Sequence, residues 1–229
     1  MARLSTTDRR RQIGDAALRA FSETGFRLTQ VADIAKLAGT APGTLYLYAP
    51  SKEALFVMAM ERSLGEEPQE AVTDPAVFAE VVLQKLLNAR SYPRFMASVD
   101  GAEDPMAGPD VVFAEIFDSV DKLAPTIRLI ERCAQDWPEL AALFYENLRP
   151  TLLRRLETYL AKGVEQGTIR KPPNFQLAAR LIVETIAWFA MHRHGDVDGR
   201  FYDPAAVRTA TLDALIHAYA TKSTEEVKR

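Results

Sequence analysis

The sequence has only one cysteine and three histidines among 229 residues. A lone thiol, Cys133, forms no internal disulfide, and so few soft ligands exclude a cysteine-rich metal site. No run of about 18 apolar residues occurs, and the first ten residues lack an apolar signal segment, so we expect a cytoplasmic protein without membrane spans. Glycine-rich phosphate loops and a glycine-flanked nucleophilic serine are also missing, so the sequence predicts no enzyme, no cofactor and no metal.

Strand-like alternation bounded by hairpin turns is absent as well, whereas apolar residues recur at spacings of three and four. The sequence therefore predicts an all-α fold. Thr7 is the expected N-cap of a first helix that Gly25 stops, and Thr29 the expected N-cap of a second helix that Gly39 ends. A third helical segment, residues 40–48, is too short to be stable alone and must be held by its neighbours.

The rest of the chain continues the helical pattern. Ser51 caps a fourth helix up to Gly65, and the acidic stretch that follows suggests a domain boundary, which divides the chain into residues 1–64 and 65–229. Composition predicts a loop over residues 98–110. The remaining expected helices are 111–123, 126–136, a long one from Pro138 to Gly167, one capped by Asn174, and a last one opened by Asp203 and Pro204.

The last two helices are apolar around most of their circumference, over residues 177–191 and 207–219. Such helices must be covered on all sides. Two of them from each of two copies can form a four-helix bundle, which predicts a homodimer. The open alternative is a large monomer core that covers them.

Charge is unevenly distributed along the chain. Residues 1–60 carry eight Lys and Arg against five Asp and Glu, whereas the remainder carries 20 against 26. A basic head on an acidic body is typical of a protein that presents one end to phosphates.

Two helices joined by the tight turn at Gly39 suggest a helix-turn-helix. The runs Thr29-Gln-Val-Ala-Asp-Ile-Ala-Lys-Leu-Ala-Gly39, Gly43-Thr-Leu-Tyr-Leu-Tyr48 and Ser51-Lys-Glu-Ala-Leu55 resemble the tetracycline-repressor (TetR) family, over about residues 7–56. The resemblance implies a three-helix DNA-binding domain at residues 1–64, followed by a helical ligand-binding and dimerisation domain at 65–229.

The same resemblance implies which residues touch duplex DNA. Thr29 and Lys52 correspond to phosphate contacts, Tyr46 and Tyr48 to contacts with the backbone or a thymine methyl, and Gly43 to a close approach of the main chain. Taken singly, Tyr46 could be a core residue and Lys52 a solvated one, and Leu45 is expected in the core. The full set expected at the DNA is Thr29, Thr40, Ala41, Pro42, Gly43, Thr44, Tyr46, Leu47, Tyr48 and Lys52.

This sequence departs from the family pattern around the third helix. The family usually has Val-Ser before it and Phe after the second tyrosine, whereas this chain has Thr40-Ala41 and Ala49. No Arg, Asn or Gln of this helix is available to read a base bidentately, so thymine methyls and DNA shape are expected to carry more of the readout. Arg3, Arg9 or Arg10 could add phosphate or minor-groove contacts.

For the C-terminal body, the resemblance implies a pocket for a small-molecule effector whose binding releases the protein from a palindromic operator. The effector must prefer the released state to have this effect. His192 and His194 are not expected to bind a metal, since residues two apart on a helix point to different faces. The candidate pocket residues are Phe95, Met96, Phe113, Phe117, Trp137, Phe144, Tyr145, Trp188 and His192.

Three alternatives remain open from the sequence. A regulator or activator that ignores ligands would use the same DNA-binding head and keep its operator affinity across a metabolite library. An all-helical enzyme is the alternative from another class. A helical interaction module would have no affinity for DNA at physiological salt.

Overall fold

A computed structural model describes residues 5–69, 78–101 and 106–221. The helices of the N-terminal part are α1 (Thr6–Leu28), α2 (Val31–Leu37), α3 (Pro42–Tyr46), α4 (Lys52–Ser63) and α5 (Phe78–Ala89). The remaining helices are α6 (Pro93–Asp100), α7 (Pro109–Ala134), α8 (Pro138–Ala141), α9 (Arg149–Glu165), α10 (Phe175–Ala190) and α11 (Pro204–Tyr219). A π-helical segment, Ala142–Leu148, joins α8 to α9, and two 3₁₀ turns, His192–Gly195 and Gly199–Phe201, lie between α10 and α11.

The all-α prediction is confirmed for these residues. Their only β pairing is an isolated antiparallel bridge between Ile169 and Ala220. No helix in the described ranges is both long and apolar enough to span a bilayer.

Capping side chains fix several helix starts. Ser51, Asn174 and Asp203 each accept the backbone N–H of the residue three positions later, at 3.1, 2.8 and 2.8 Å, as the sequence predicts. The predicted cap at Thr7 is wrong, because Ser5 is the N-cap and accepts the N–H of Asp8 at 3.1 Å. These contacts satisfy backbone donors that a helix start leaves unpaired.

Several helices end at or just before a glycine. Gly25 has φ 82° and interrupts the helical backbone of α1, so Phe26 to Leu28 form a separate last turn. Gly65 and Gly167 follow α4 and α9 with φ 77° and 74°, in the left-handed region that glycine adopts at helix ends.

The structure corrects three predictions about the middle of the chain. Residues 98–100 are the last turn of α6 and not loop, because the left-handed Gly101 stops the helix only there, and residues 109–110 are the start of α7. Residues 102–105 of the predicted loop lie outside the described residues. The separate helices 111–123 and 126–136 are one helix, α7, with Pro125 inside it. Apolar burial on both sides of the proline, at Leu123 and Ile130, offsets the one hydrogen bond that Pro125 removes.

The long helix predicted from Pro138 to Gly167 is not α-helical throughout, because the π segment Ala142–Leu148 separates α8 from α9. Pro150 supplies no N–H to the carbonyl of Glu146, so the α-helical ladder is interrupted where the π segment ends.

By packing, the chain forms two units. The first consists of residues 1–89 and 125–148, and the second of residues 90–124 and 149–229. α7 contributes its C-terminal half to the first unit and its N-terminal half to the second. The predicted functional boundary after residue 64 stays a prediction.

In the first unit, α1 packs along α4, and their inward faces form a core around Phe21 and Phe56. This core contains a buried ion pair, in which Lys85 Nζ lies 2.9 Å from a carboxylate oxygen of Glu61, whose side chain is only 3% exposed. Burial opposes the charge of Lys85, but the hydrogen bonds and charges of Glu61 and Glu66 outweigh it and raise the pKa of Lys85.

In the second unit, α10 packs against both α9 and α11, with Tyr159, Phe113 and Ile182 fully buried. The hydroxyl of Tyr159 donates to the carbonyl of Ala107 at 2.8 Å. Lys162 donates to the carbonyl of Val99, in the last turn of α6, at 2.7 Å.

Candidate DNA interface

A tight turn sets the angle between α2 and α3. Gly39 has φ 60°, and its N–H donates to the carbonyl of Lys36 at 3.2 Å. The N–H of Thr40 donates to the carbonyl of Ala35 at 3.0 Å. This pair of bonds is the Schellman arrangement, which closes the open carbonyls of a helix end and requires a left-handed residue at Gly39. The predicted helix end at Gly39 is therefore confirmed.

The third helix is anchored by a few apolar side chains. α3 has five residues, far fewer than an isolated helix needs. Leu45 and Ala49 are fully buried in the core of the first unit, together with Ile34 of α2. The predictions that this segment is held by its neighbours and that Leu45 belongs to the core are confirmed.

The opposite side of α3 faces solvent. Tyr46 is 49% exposed and Leu47 82% exposed. Ala41, Pro42 and Gly43 are exposed too, while Thr40, Thr44 and Tyr48 are half-buried. The structure thus brings together, on one short stretch, every residue of segment 40–48 that the sequence assigns to DNA, and each of those contacts stays a prediction.

Gly43 has no intramolecular reason to be glycine. A Cβ added there would meet no heavy atom within 4 Å, and its φ lies outside the left-handed region. The fold would therefore accept alanine at this position. A requirement for a residue without a side chain at Gly43 would therefore come from a molecule that packs against α3.

Thr29 is not the N-cap of α2 that the sequence predicts. It is 3% exposed, and its hydroxyl lies 2.6 Å from the carbonyl oxygen of Gly25 and 2.6 Å from the hydroxyl of Thr24. Gln30 occupies the N-cap position of α2 and makes no side-chain capping bond, so the predicted Thr29 cap is wrong. The hydroxyl ties the α1–α2 turn together, and its phosphate contact stays a prediction.

Lys52 begins α4 beside the same turn. Its ammonium donates to the carbonyl of Arg27 at 3.2 Å and stands 4.9 Å from the centroid of the Phe26 ring. Burial lowers the pKa of Lys52, while the charges of Asp136 and Glu53 act in the opposite direction. Sequence reasoning missed Phe26, because its place beneath Lys52 depends on a contact between different helices.

The basic start of α1 is partly neutralised. Arg11 makes ion pairs with Glu67 at 3.0 Å and with Asp8 at 3.7 Å. Arg9 hydrogen-bonds to Gln12 at 3.2 Å. Arg3 lies outside the described residues, and the proposed phosphate contacts of Arg9 and Arg10 stay predictions.

The candidate effector residues are distributed over both units. Phe95, Met96, Phe113 and Phe117 belong to the core of the second unit, where Trp188 is 39% exposed and His192 is exposed. Trp137, Phe144 and Tyr145 belong to the first unit, with Tyr145 42% exposed. The assignment of these residues to a pocket stays a prediction.

Comparisons with known proteins agree with this geometry. Residues 13–59 match the family model of bacterial regulatory proteins of the tetR family, and residues 117–195 match that of the AefR-like transcriptional repressor C-terminal domain. The Fatty acid metabolism regulator protein of Bacillus subtilis is 38% identical over 215 residues, which is 92% of this chain and 95% of that protein.

Solved structures share the fold. The transcriptional regulator FadR from Bacillus subtilis, in complex with stearoyl-CoA, is 24% identical with a TM-score of 0.52, over 90% of this chain and 96% of that one. The ketosteroid transcriptional regulator KstR2 of Mycobacterium tuberculosis is 19% identical with a TM-score of 0.57, over 95% and 98%. With its glycine-closed turn, its anchored third helix and a relative of this identity along nearly its whole length, the chain belongs to the tetR family of bacterial regulatory proteins.

Proposed function

We propose that this protein is a transcriptional repressor that binds a palindromic operator as a homodimer and leaves it when a small-molecule effector binds. The observation that carries the proposal is the solvent-exposed side of α3, which the core holds from the opposite side through Leu45. An exposed helix on a rigid base, in a head with excess positive charge, fits the major groove of duplex DNA. We infer that the protein acts in the cytoplasm, where bacterial DNA lies.

The homodimer is supported by an apolar face that the monomer leaves open. On α10, Leu177 is 62% exposed, Leu181 60% and Trp188 39%. Their spacings of four and seven place them on one side of the helix. On α11, four exposed alanines recur at every fourth position: Ala206, Ala210, Ala214 and Ala218. Large side chains on one helix and small ones on the next suit close packing of helices from two copies.

For the effector we propose a fatty-acid derivative, with a long-chain acyl-CoA as the first compound to test. The support is the name of the relative that is 38% identical along almost the whole chain, a regulator of fatty acid metabolism. The core of the second unit, built around aromatic side chains such as Phe113 and Phe117, is apolar enough to suit an acyl chain.

Fluorescence anisotropy with the labelled duplex upstream of the protein's own gene tests DNA binding. We expect the double variant Tyr46→Ala, Lys52→Ala to bind at least tenfold more weakly, because it loses two contacts per head. Tyr202→Ala with Lys122→Ala is the matched control, which removes an exposed tyrosine and an exposed lysine that both belong to the second unit and not to the helix-turn-helix. Equal affinity of the wild type and the α3 variant would refute the site assignment.

Light scattering after size exclusion tests the dimer. Leu181→Arg is expected to give monomers, because a guanidinium would be buried in the contact between copies. Leu87→Arg, at a leucine of α5 that is 46% exposed, should leave the dimer intact. A wild-type protein that elutes as a monomer at micromolar concentration would refute the assembly.

The same anisotropy assay tests the effector. Stearoyl-CoA is expected to lower operator affinity, whereas coenzyme A alone is not, since the apolar chain would supply most of the binding free energy. If stearoyl-CoA leaves the operator affinity unchanged, the acyl-CoA assignment is wrong, even if the protein does bind the operator.

A further inference from the structure

Three groups are stacked at the end of α1. The rings of Phe26 and Trp137 lie face to face, with centroids 3.7 Å apart and planes 20° from parallel. The ammonium of Lys52 stands 4.9 Å from the Phe26 centroid. Phe21 also stacks on the Phe26 ring, with centroids 5.6 Å apart and planes 16° from parallel, so Trp137 and Phe21 both hold the ring that Lys52 contacts. Lys52 therefore rests on a ring that Trp137 supports.

Trp137 is itself held firmly. It stacks on Phe78 with centroids 4.8 Å apart and meets the edge of Phe56 at 5.2 Å. Only 7% of its surface is exposed. It comes between α7 and α8, at the N-cap position of α8, and thus far along the sequence from the helix-turn-helix. A ring packed against three others has little freedom to move, so it provides a rigid platform for Phe26.

A free lysine side chain has many rotamers, and fixing it on binding costs free energy, up to about 2 kcal/mol. The stack and the 3.2 Å bond to the carbonyl of Arg27 hold the Lys52 ammonium before DNA arrives. Lys52 is the first residue of α4, where the family resemblance implies a phosphate contact.

We propose that Trp137 is a positioning residue for DNA binding, which sets the Lys52 ammonium for phosphate by supporting Phe26. The proposal rests on the proposed function, and specifically on a phosphate contact by Lys52. In this proposal Trp137 supports DNA binding and does not contact the effector. A movement of the segment between α7 and α8 would then be transmitted to Lys52 through the stacked rings of Trp137 and Phe26.

The salt dependence of affinity is the property that separates positioning from mere stability. Each phosphate contact contributes about 0.9 to the slope of log affinity against log salt concentration on duplex DNA. Lys52→Met should therefore reduce the slope by about 1.8 for a dimer with two heads. Trp137→Leu keeps an apolar side chain but removes the platform, and should reduce the slope in the same direction. Trp137→Phe, which keeps a ring against Phe26, should restore it.

The experiment measures anisotropy of the same upstream duplex at salt concentrations from about 50 to 200 mM, the range over which phosphate contacts are resolved. The double variant Trp137→Leu, Lys52→Met should have the slope of Lys52→Met alone, because both changes act on one contact. Leu148→Ala is the matched control, since it truncates another buried side chain of the same unit, 3% exposed, that has no part in the stack. Its slope should equal that of the wild type.

Each outcome decides the matter. A wild-type slope for folded Trp137→Leu, or additive losses in the double variant, overturns the inference. A wild-type slope for Lys52→Met would show that Lys52 makes no phosphate contact, and would overturn the inference but not the proposed DNA binding. A wild-type protein that binds no duplex would overturn the proposed function itself. If circular dichroism finds Trp137→Leu unfolded, Phe26→Leu carries the same test, because it removes the ring that contacts both Lys52 and Trp137.

Discussion

Alanine in place of Gly43 should change stability and DNA affinity in opposite directions. The added methyl group meets no heavy atom within 4 Å in the protein itself, and the backbone is not left-handed there. Alanine loses less backbone entropy on folding, so the variant should gain about 0.5 kcal/mol, or about 1–2 °C in Tm for a chain of this length. At the DNA, a methyl group inserted into a closely packed contact should cost about 1–3 kcal/mol per head, which for a dimer with two heads is about a thirtyfold loss of affinity or more.

Gly39→Ala is the matched control for this prediction. A Cβ at Gly39 also meets nothing within 4 Å, but φ is 60°, a conformation that costs an L-residue about 1 kcal/mol. Its Tm should therefore fall, while that of Gly43→Ala rises, in thermal melts followed by circular dichroism at one protein concentration. If Gly43→Ala binds the upstream duplex as tightly as the wild type, the main chain of α3 does not approach DNA closely, and the assignment of α3 to the major groove is refuted.

Three further predictions concern single side chains. Leu47→Ala should weaken binding to the thymine duplex several-fold but not to the same duplex made with deoxyuridine, which lacks the 5-methyl groups; equal losses on both would contradict methyl readout. Lys85→Met removes the ammonium that pairs with the buried Glu61 carboxylate and should cost about 3 kcal/mol in urea unfolding at neutral pH, where the raised pKa of Lys85 keeps that ammonium charged, whereas Arg19→Met on the surface should change stability by less than about 0.5 kcal/mol. Burial raises the pKa of Cys133 to about 12, so Ellman's reagent at pH 8 should label it only after unfolding, and rapid labelling of the native protein would show that it is accessible.

The sequence alone determined the parts of this protein that depend on neighbours along the chain. A capping side chain bonds to an N–H three residues away, so Ser51, Asn174 and Asp203 could be recognised as helix starts. The glycine turn at Gly39 and the inward side of the third helix at Leu45 follow from equally local patterns. This is why the short helical segment 40–48 and its buried side could be located from the sequence, whereas its contacts with DNA, which the family resemblance implies, stay predictions.

Only the tertiary structure decided the contacts between helices that are distant in sequence. Thr29 has the composition of a cap, yet its hydroxyl is buried against carbonyls of α1 because Gly25 folds the chain back there. Trp137 stacks on Phe26, and no spacing rule encodes that contact, while its predicted place in an effector pocket stays a prediction. Pro125 does not end α7, because burial on both sides stabilises the helix by more than one missing hydrogen bond costs. Local hydrogen bonds are specified residue by residue, whereas packing depends on which surfaces meet when all the helices are assembled.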